Sequence, residues 1–434
     1  MSIETIKKLI DGTLIDPDGD GERTLSVPTR NVVIENSLSG AEAELVQALD
    51  LEPPLAIVSD PDTHAVMGVN VERALQSLGP IVKIQLGANP HADMDTAEAL
   101  INETQTAGSL IAVGSGTIND LCKFAAAVQS KRCAVFPTAP SMNGYTSVNA
   151  AITEHGHKKS LAAVAPEGVF MDLGVLAAAP KRMIQSGLGD SICRATAQAD
   201  WMLAHLLFDS EYRSAPFDFL LDDENGMLAD PEALVAGDLE AMARLARTLV
   251  LSGMGMTVCG GSYPASQGEH LISHYIEMMH PDDWDVAFHG EQIGVTACVM
   301  ARLQEHVLRS PPPKVLPGRV TKQAVLSHFG DDIGTACWGE FDKKRLRPED
   351  ADRLNSHIEQ SWSSIQEKLL SVTKSAEILN SVLQRADAPS SYSDIGLEQG
   401  FFVDAITHAR EIRNRYTFLD LADDAGMMNP SKLV

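Results

Sequence analysis

Two segments of the sequence place histidines where a helix is expected to begin. In the first, the run Ser266-Gln-Gly-Glu269 has a capping-box pattern, with Ser266 as the expected N-cap and Glu269 bonding back to its amide. His270 and His274 follow at i, i+4 spacing, which puts both rings on one face of the helix. In the second segment, His289 opens another helical pattern. The capping pattern favours Glu269 as a helix cap over Glu269 as a catalyst.

A carboxylate completes this set of residues that could bind a metal ion. Asp190 follows two glycines, Gly187 and Gly189, and is expected to start a third helix. Two imidazoles and a carboxylate, brought together from three helix starts, suit a divalent metal ion with one coordination position left for substrate. Because these residues are far apart in the sequence, their spacing alone leaves a second interpretation open, in which the histidines are ordinary core or surface residues.

A glycine-rich loop is the second feature that could bind a ligand. The run Gly114-Ser-Gly116 follows the apolar residues 110–113 and leads into a helical pattern that contains Asn119 and Asp120. Glycine at both positions lets the backbone approach a phosphate closely, and the N-terminus of the helix adds partial positive charge. The run lacks the GxGxxG fingerprint of dinucleotide-binding folds. A tight turn that needs glycine for its own geometry is therefore the alternative.

A second loop, rich in small hydroxyl side chains and turn-forming residues, follows the next expected strand. It contains Thr138, Ser141, Asn143 and Ser147. The carboxyl edge of a parallel sheet is where open α/β sheets bind their ligands. This position favours a ligand-binding loop, and a polar surface loop without a ligand is the alternative.

Strands and helices alternate through the first 180 residues, and helices alone are expected after them. The order is strand 27–34, strand 55–60, helix 64–79, strand 82–86, helix 97–107, strand 110–113, helix 118–130, strand 134–136 and strands within 150–164. This alternation predicts a parallel sheet covered by helices on both faces. Long helical patterns follow at 181–208, 232–254, 267–279, 287–308, 350–385 and 400–417. We therefore expect an α/β domain over residues 1–180 and an all-helical domain over residues 181–434.

The composition of the chain indicates which binding partners and which cellular location to expect. The 59 acidic and 34 basic residues give a formal net charge of -25, which repels nucleic acid and anionic membranes, so we expect neither as a partner. Six cysteines form no CxxC pair, as is typical of reduced thiols in a cytosolic protein. The N-terminal residues lack the apolar region of a signal peptide, and no apolar run reaches the ~20 residues needed to cross a bilayer. We therefore expect a cytoplasmic protein without membrane insertion.

Taken together and in order, these motifs identify a family resemblance. The chain resembles the glycerol-1-phosphate dehydrogenases, which belong to a superfamily with the iron-containing alcohol dehydrogenases, glycerol dehydrogenases and dehydroquinate synthases. The resemblance extends over residues 27–427 and is carried by GSGTINDLCKFAA, FPTAPSMNGYTS, GLGDSICRATAQADW, SYPASQGEHLISH, FHGEQIGV and IRNRYTFLDLADDAG. It implies a Rossmann-like dinucleotide-binding domain over residues 1–180, followed by an all-helical metal- and substrate-binding domain over residues 181–434.

The resemblance also implies a site, residue by residue. It implies one divalent metal ion, usually zinc and otherwise nickel or iron, with the ligands Asp190, His270 and His289. It implies NAD(H) or NADP(H) as cofactor, with contacts from Asp60 to the adenosine ribose, from Gly114, Ser115, Gly116, Asn119 and Asp120 to the pyrophosphate, and from Thr138 and Ser141 near the nicotinamide ribose. His274 is implied to line the substrate pocket and Asn143 to lie beside the substrate, and these two are the expected catalytic residues.

Three positions depart from the family pattern. Asn143 stands where the family has aspartate, Tyr263 where it has arginine, and Gln267 where it has glycine. The change to asparagine removes a negative charge and a proton acceptor beside the substrate. Loss of an arginine removes a bidentate partner for phosphate, if phosphate binding was its function. The departures therefore bear on the substrate more than on the hydride chemistry.

The reaction implied by the resemblance interconverts a small phosphorylated ketone and a polyol, with dihydroxyacetone phosphate and sn-glycerol 1-phosphate as the expected pair. The alternatives are a related dehydrogenase with another substrate, a lyase like dehydroquinate synthase that uses bound NAD, and a non-catalytic nucleotide sensor. An anionic substrate on so acidic a protein needs a local basic partner, for which Lys159, Arg194 and Arg413 are candidates. Assembly into a homo-oligomer is left open.

Overall fold

The structure is a computed structural model that describes residues 2–154, 157–281 and 284–434. Within these ranges the strands are β1 (Leu14–Ile15), β2 (Thr24–Leu25), β3 (Asn31–Glu35), β4 (Leu55–Ser59), β5 (Ile81–Gln85), β6 (Ser109–Gly114), β7 (Arg132–Pro137), β8 (Asn149–Glu154), β9 (His157–Ala162) and β10 (Gly168–Asp172).

Helices make up most of the rest of the chain. They are α1 (Ser2–Ile10), α2 (Glu42–Gln47), α3 (Pro61–Thr63), α4 (Val69–Leu75), α5 (Met94–Glu103), α6 (Gly116–Val128), α7 (Leu173–Ala177), α8 (Lys181–Ile192), α9 (Arg194–Phe208), α10 (Ala215–Asp218), α11 (Leu221–Ala229), α12 (Pro231–Val235), α13 (Leu239–Val258), α14 (Gly268–Met279), α15 (His289–Leu308), α16 (Lys322–Phe329), α17 (Asp331–Lys344), α18 (Pro348–Leu370), α19 (Ala376–Arg385), α20 (Gln399–His408) and α21 (Phe418–Asp424). A π-helical segment spans His64–Gly68, and 3-10 turns span Gln76–Leu78, Tyr263–Ala265, Ala409–Glu411 and Pro430–Lys432. None of the helices in the described ranges is both long and apolar enough to span a membrane.

The chain divides into two compact units. The first, which we call the sheet unit, comprises Met1–Ser191 and Arg213–Ser262; the second, the helical unit, comprises Ile192–Tyr212 and Tyr263–Val434. In the sheet unit, six parallel strands follow the order β3-β10-β7-β6-β4-β5. The central strands β4, β6 and β10 are buried along their whole length, as expected for continuous apolar runs covered on both faces. The predicted α/β fold is confirmed.

Parallel pairing brings three loops of the sheet unit to one edge of the sheet. The loops that leave the carboxyl ends of β4, β6 and β7 begin at Asp60, Ser115 and Thr138. These are the loops that the sequence predicts to bind a ligand. The strands expected within 150–164 form the antiparallel hairpin of β8 and β9.

The helical unit contains no strand in its described residues. Its longest helix in the described residues is α18, in which Ala351, Leu354, Ile358, Trp362, Ile365 and Leu369 form one buried stripe at three- and four-residue spacing. The α14 and α15 helices pack against each other and contribute Leu271, Ile272, Val295 and Val299 to the same core.

The two compact units are interleaved along the chain, whereas the sequence predicts a single boundary at residue 180. The segment Arg213–Ser262 belongs to the sheet unit because Arg213 donates to Asp16 over 2.6 Å, and the amides of Ser214 and Ala215 donate to Asp18. Residues 1–180 and 181–434 remain a prediction about functional domains.

Candidate active site

The glycine loop has the strand-to-helix geometry that the sequence predicts. The β6 strand ends at Gly114, Ser115 is the N-cap, and α6 begins at Gly116. The Ser115 side chain makes no capping hydrogen bond, so it does not occupy the first amides of α6. A Cβ atom at Gly116 would lie 2.8 Å from Met142 Cγ, and one at Gly114 would overlap Ile118. Glycine is therefore needed here for packing as well as for close approach to a ligand.

Two polar residues of α6 follow this loop. Asp120 accepts hydrogen bonds from the Ala151 amide over 2.9 Å and from Lys123 over 3.3 Å, so its carboxylate ties α6 to β8. Asn119 is buried, and its Oδ1 atom has no hydrogen-bond partner among the described residues. A ligand with a hydroxyl donor would satisfy that oxygen, and the riboses of a dinucleotide carry such donors. Contacts of both residues with the cofactor remain predictions.

Lys123, a residue outside the predicted site, fixes the second loop to α6. Its side chain is fully buried, and its ammonium group donates to the Gly144 carbonyl over 2.9 Å, to Ser147 Oγ over 3.0 Å and to the Asn149 carbonyl. No sequence pattern marks this lysine, because the polar residues Asn119 and Asp120 precede it on the same face of α6. A lysine is buried only where several acceptors pair with it, so this position defines the loop that follows β7.

The second loop brings Asn143 and Asp190 together within the sheet unit. The Asn143 amide donates to Asp190 Oδ2 over 2.7 Å, and the Ser141 carbonyl accepts from the Ser186 hydroxyl over 3.0 Å. Asp190 lies in the last turn of α8, so the prediction that it starts a helix is wrong. A Cβ atom at Gly187 would overlap the Pro140 carbonyl oxygen. This glycine therefore admits the loop against the helix and does not mark a helix start.

Thr138 and Asp60 lie at the same sheet edge. Thr138 is 7% exposed, and its amide donates to the Gly114 carbonyl over 3.2 Å, which joins the two predicted cofactor loops. Asp60 is the N-cap of α3, and its Oδ1 atom accepts from the Thr63 amide over 2.8 Å. The second oxygen of Asp60 accepts no hydrogen bond from the described residues.

In the helical unit, α14 begins at Gly268 with Gln267 as N-cap, so the prediction of Ser266 as N-cap is wrong. Glu269 reaches back to the Gln267 amide over 2.8 Å. The start is set by a tertiary contact, because the Gly268 amide donates to buried Asp200 over 2.9 Å. Burial, and then the nearby charge of Glu269, raise the pKa of Asp200 to about 8.

Three imidazole rings converge at the starts of α14 and α15. The ring centroids of His270 and His289 are 5.2 Å apart, and His274 lies 6.0 Å and 6.3 Å from them. The α15 helix begins at His289, as the sequence predicts. Asp190, the third predicted metal ligand, belongs to the sheet unit.

The hydrogen bonds around these rings fit a metal ion. His270 Nδ1 lies 2.9 Å from Glu269 Oε1, an arrangement that fixes the tautomer of the ring and leaves Nε2 as a ligand atom. Burial opposes ionisation of Glu269, but the hydrogen bond and charge of His270 lower its pKa. His289 Nδ1 is buried, lies 3.5 Å from Glu277, and has no hydrogen-bond partner among the described residues. Imidazole nitrogens, here on rings that lie beside the carboxylates of Glu269 and Glu277, are typical ligands of zinc, nickel or iron.

Two of the departures from the family pattern lie in one turn of the helical unit. Gln267 donates to the Tyr263 carbonyl over 2.8 Å, and the Tyr263 ring stacks on Trp201 at 5.8 Å between centroids. The Arg415 guanidinium lies 4.7 Å from the Tyr263 ring centroid and donates to the Ser266 carbonyl. A cation is therefore present beside Tyr263, but it comes from residue 415.

The fold and the polar groups at the sheet edge define a class of protein. A family model described as iron-containing alcohol dehydrogenase matches residues 33–180. A probable glycerol dehydrogenase from Sinorhizobium meliloti has a similar structure, with a TM-score of 0.61 and 14% identity over 94% of this chain and 98% of that chain. A sulfoacetaldehyde reductase from Bifidobacterium kashiwanohense gives a TM-score of 0.60 at 14% identity, over 94% and 96%. The fold is that of the iron-containing alcohol dehydrogenases.

Curated relatives narrow this class. A protein from Pyrococcus furiosus is 31% identical over 63% of this chain and 78% of its own length. One from Bacillus licheniformis is 28% identical over 86% and 83%, and one from Haloquadratum walsbyi is 29% identical over 90% and 91%. All three are named as NAD(P)+-linked glycerol-1-phosphate dehydrogenases. The chain belongs to the glycerol-1-phosphate dehydrogenase family, and the predicted class, an NAD(P)-linked oxidoreductase, is confirmed.

Proposed function

We propose that the protein interconverts dihydroxyacetone phosphate and sn-glycerol 1-phosphate with NAD(H) or NADP(H) and one divalent metal ion. The observation that carries the proposal is the convergence of His270, His274 and His289 in the helical unit, with Glu269 orienting His270. The names of the relatives support the substrate pair. The six free thiols support a cytoplasmic location.

The proposed metal ligands are Asp190, His270 and His289, with zinc as the proposed ion and nickel or iron as alternatives. When bound, the ion polarises the ketone oxygen as a Lewis acid, while the nicotinamide supplies or accepts the hydride. Asn143 holds the Asp190 carboxylate through its backbone amide. His274, on the same helix as His270, is proposed to contact the substrate and to carry a proton to or from it.

The proposed cofactor contacts belong to the sheet unit. The amides at the N-terminus of α6, with Gly114, Ser115 and Gly116, would bind the pyrophosphate, because a helix N-terminus attracts anions. Thr138 and Ser141 would lie near the nicotinamide ribose, and Asp60 near the adenosine ribose. Asn119 and Asp120 would complete the pyrophosphate end.

The substrate proposal is tested by comparing kcat/KM for dihydroxyacetone phosphate with kcat/KM for unphosphorylated dihydroxyacetone, monitored by absorbance of the reduced cofactor. We expect a preference of more than about tenfold, equivalent to roughly 1.4 kcal/mol of transition-state binding, for the phosphorylated ketone. Longer phosphorylated sugars serve as size controls and should be poorer substrates. A smaller preference would contradict a dedicated phosphate site, and product formation without net redox would indicate a lyase.

Asp60 is expected to favour NAD(H) over NADP(H), because its carboxylate can accept from a ribose 2′-hydroxyl and repels a 2′-phosphate. Asp60→Asn keeps an N-cap and removes the charge, so the ratio of kcat/KM for NADH to that for NADPH should fall about tenfold. Asp93→Asn is the matched control, since Asp93 is also an N-cap that accepts from a threonine amide three residues on. An unchanged ratio in Asp60→Asn would place Asp60 away from the 2′ position.

A further inference from the structure

One buried carboxylate of the helical unit lies between the starts of two helices. Asp200, on α9, is fully buried, and its two oxygens accept hydrogen bonds from two different backbone amides. Its Oδ2 atom accepts from Gly268 over 2.9 Å, and its Oδ1 atom accepts from Phe418 over 2.9 Å. These are the first residues of α14 and α21. Because the N-terminus of a helix carries partial positive charge, both helices stabilise the buried carboxylate.

The carboxylate of Asp200 approaches α14 closely because residue 268 is glycine. A Cβ atom at Gly268 would lie 2.7 Å from Asp200 Oδ2 and would overlap Met300. A third helix supports the same carboxylate, since Gln304 Nε2, on α15, lies 3.5 Å from Asp200 Oδ1. Gln304 also donates to the Thr196 carbonyl of α9 over 3.0 Å. Asp200 therefore holds a contact of α9 with the start of α14, and α15 supports it.

The same face of α9 also contacts the residue that orients His270. Thr196 precedes Asp200 by four residues, so both side chains lie on one face of the helix. The Thr196 hydroxyl lies 3.2 Å from Glu269 Oε2, and the other oxygen of Glu269 lies 2.9 Å from His270 Nδ1. Two side chains of α9 thus contact the two residues that precede His270, namely Gly268 and Glu269.

We propose that Asp200 is a positioning residue of the metal site, which fixes the first turn of α14 and thereby the direction of the His270 ring. The proposal rests on the proposed function, because His270 is one of the proposed metal ligands. Loss of the groups that orient a metal ligand commonly weakens metal binding about ten- to a hundredfold. A purely structural carboxylate would instead contribute to stability alone, without an effect on affinity for the metal.

The test is Asp200→Asn in the full-length enzyme. Asparagine has the same shape but only one acceptor oxygen. We expect that oxygen to face Phe418 and Gln304, which are two donors, so the NH2 group opposes the Gly268 amide. The dissociation constant for Zn²⁺, measured on chelator-treated protein by competition with a chromogenic chelator, should rise about tenfold. The visible absorption bands of the Co²⁺-substituted protein should change, because they depend on ligand geometry.

Asp420→Asn is the matched control. Asp420 is as deeply buried as Asp200, and it also holds the start of α21, where it accepts from the Thr417 amide over 2.9 Å. Within the described residues its other partners are the Thr417 hydroxyl, Lys344 and Arg410, and none of them lies on α14. This variant should lower the melting temperature and leave both the Zn²⁺ affinity and the Co²⁺ spectrum unchanged.

Thr196→Val keeps the shape of the side chain and removes the hydroxyl beside Glu269, so the dissociation constant for Zn²⁺ should rise about threefold. This milder variant keeps the test valid if Asp200→Asn does not fold. Unchanged Zn²⁺ binding in Asp200→Asn, or in Thr196→Val where only that variant folds, would overturn the proposal. An equal loss of affinity in Asp420→Asn would also overturn it. In these outcomes the proposed function stands, whereas a parent protein that binds neither Zn²⁺ nor Co²⁺ would contradict both.

Discussion

Replacement of His270 by alanine is expected to remove the bound metal ion and to lower kcat at least about a thousandfold, equivalent to roughly 4 kcal/mol. The reason is that Glu269 fixes the ring of His270 and leaves one nitrogen as a ligand atom, which alanine cannot replace. Metal content measured by elemental analysis, kcat, and the thermal unfolding curve check the prediction. The helix should remain, because the Gly268 amide and the Glu269 cap do not involve the deleted ring.

Two matched variants separate loss of the metal from loss of a histidine. His274→Ala should keep the metal and lose rate, because His274 is assigned to the substrate pocket. His306→Ala should change neither property, since His306 is an exposed residue near the other end of α15. Treatment with a chelator should abolish turnover and leave the fold largely intact, and addition of zinc, nickel or iron in turn should identify the metal that restores it. Full metal occupancy and activity in His270→Ala would show that the site assignment is wrong.

The sheet could be predicted from the sequence because its strands are nearly continuous apolar runs. The runs at 55–60 and 110–113 correspond to β4 and β6, and their burial on both faces explains why the pattern was so clear. The glycine loop was equally clear, since a strand, two close glycines and a helix follow one another directly. These features depend on local sequence, so no distant contact was needed to find them.

The errors have the opposite origin. The helix containing His270 begins at Gly268 because the carboxylate of Asp200, on another helix, accepts a hydrogen bond from the Gly268 amide. Asp190 lies in the last turn of α8, and Gly187 of the same helix admits the Pro140 carbonyl, again a contact between distant residues. The helical pattern at 400–417 ends at His408, where a 3-10 turn follows. A capping pattern of four residues contains no information about contacts with distant residues, so it cannot predict helix boundaries that such contacts determine.

The candidate site shows the same division. Spacing alone placed His270 and His274 on one face of a helix, but the approach of His289 to within 5.2 Å of His270 depends on how α14 packs on α15. The resemblance supplied that relation, and the structure supplies Glu269 as the group that orients His270. Lys123 and Arg415 were missed because their importance lies in the carbonyl groups they bind, which no sequence pattern reveals.

Gly187→Ala is expected to destabilise the protein and to displace the loop after β7 that contains Ser141. The added methyl group would overlap the Pro140 carbonyl oxygen and would also lie 2.9 Å from the carbonyl carbon of Pro140 and 3.4 Å from Leu245 Cδ2. Backbone cannot yield as a flexible side chain does, so either α8 or the loop containing Ser141 must move. Overpacking of this kind costs about 3 kcal/mol, and we expect the melting temperature to fall by about 5 °C or more.

Displacement of this loop should also weaken cofactor binding, because Ser141 is proposed to lie near the nicotinamide ribose. Its carbonyl accepts from the hydroxyl of Ser186, which lies on α8 next to Gly187. Titration of NADH, followed by its fluorescence, should show a dissociation constant raised by about tenfold or more. Gly339→Ala is the matched control, since Gly339 is also inside a helix but has no atom within 4 Å of an added Cβ. That variant should gain about 0.5–1 kcal/mol from helix propensity and bind NADH normally. If Gly187→Ala proves as stable as Gly339→Ala and binds NADH equally well, then the contact between Gly187 and Pro140 does not hold the loop, and Ser141 must be positioned by other groups.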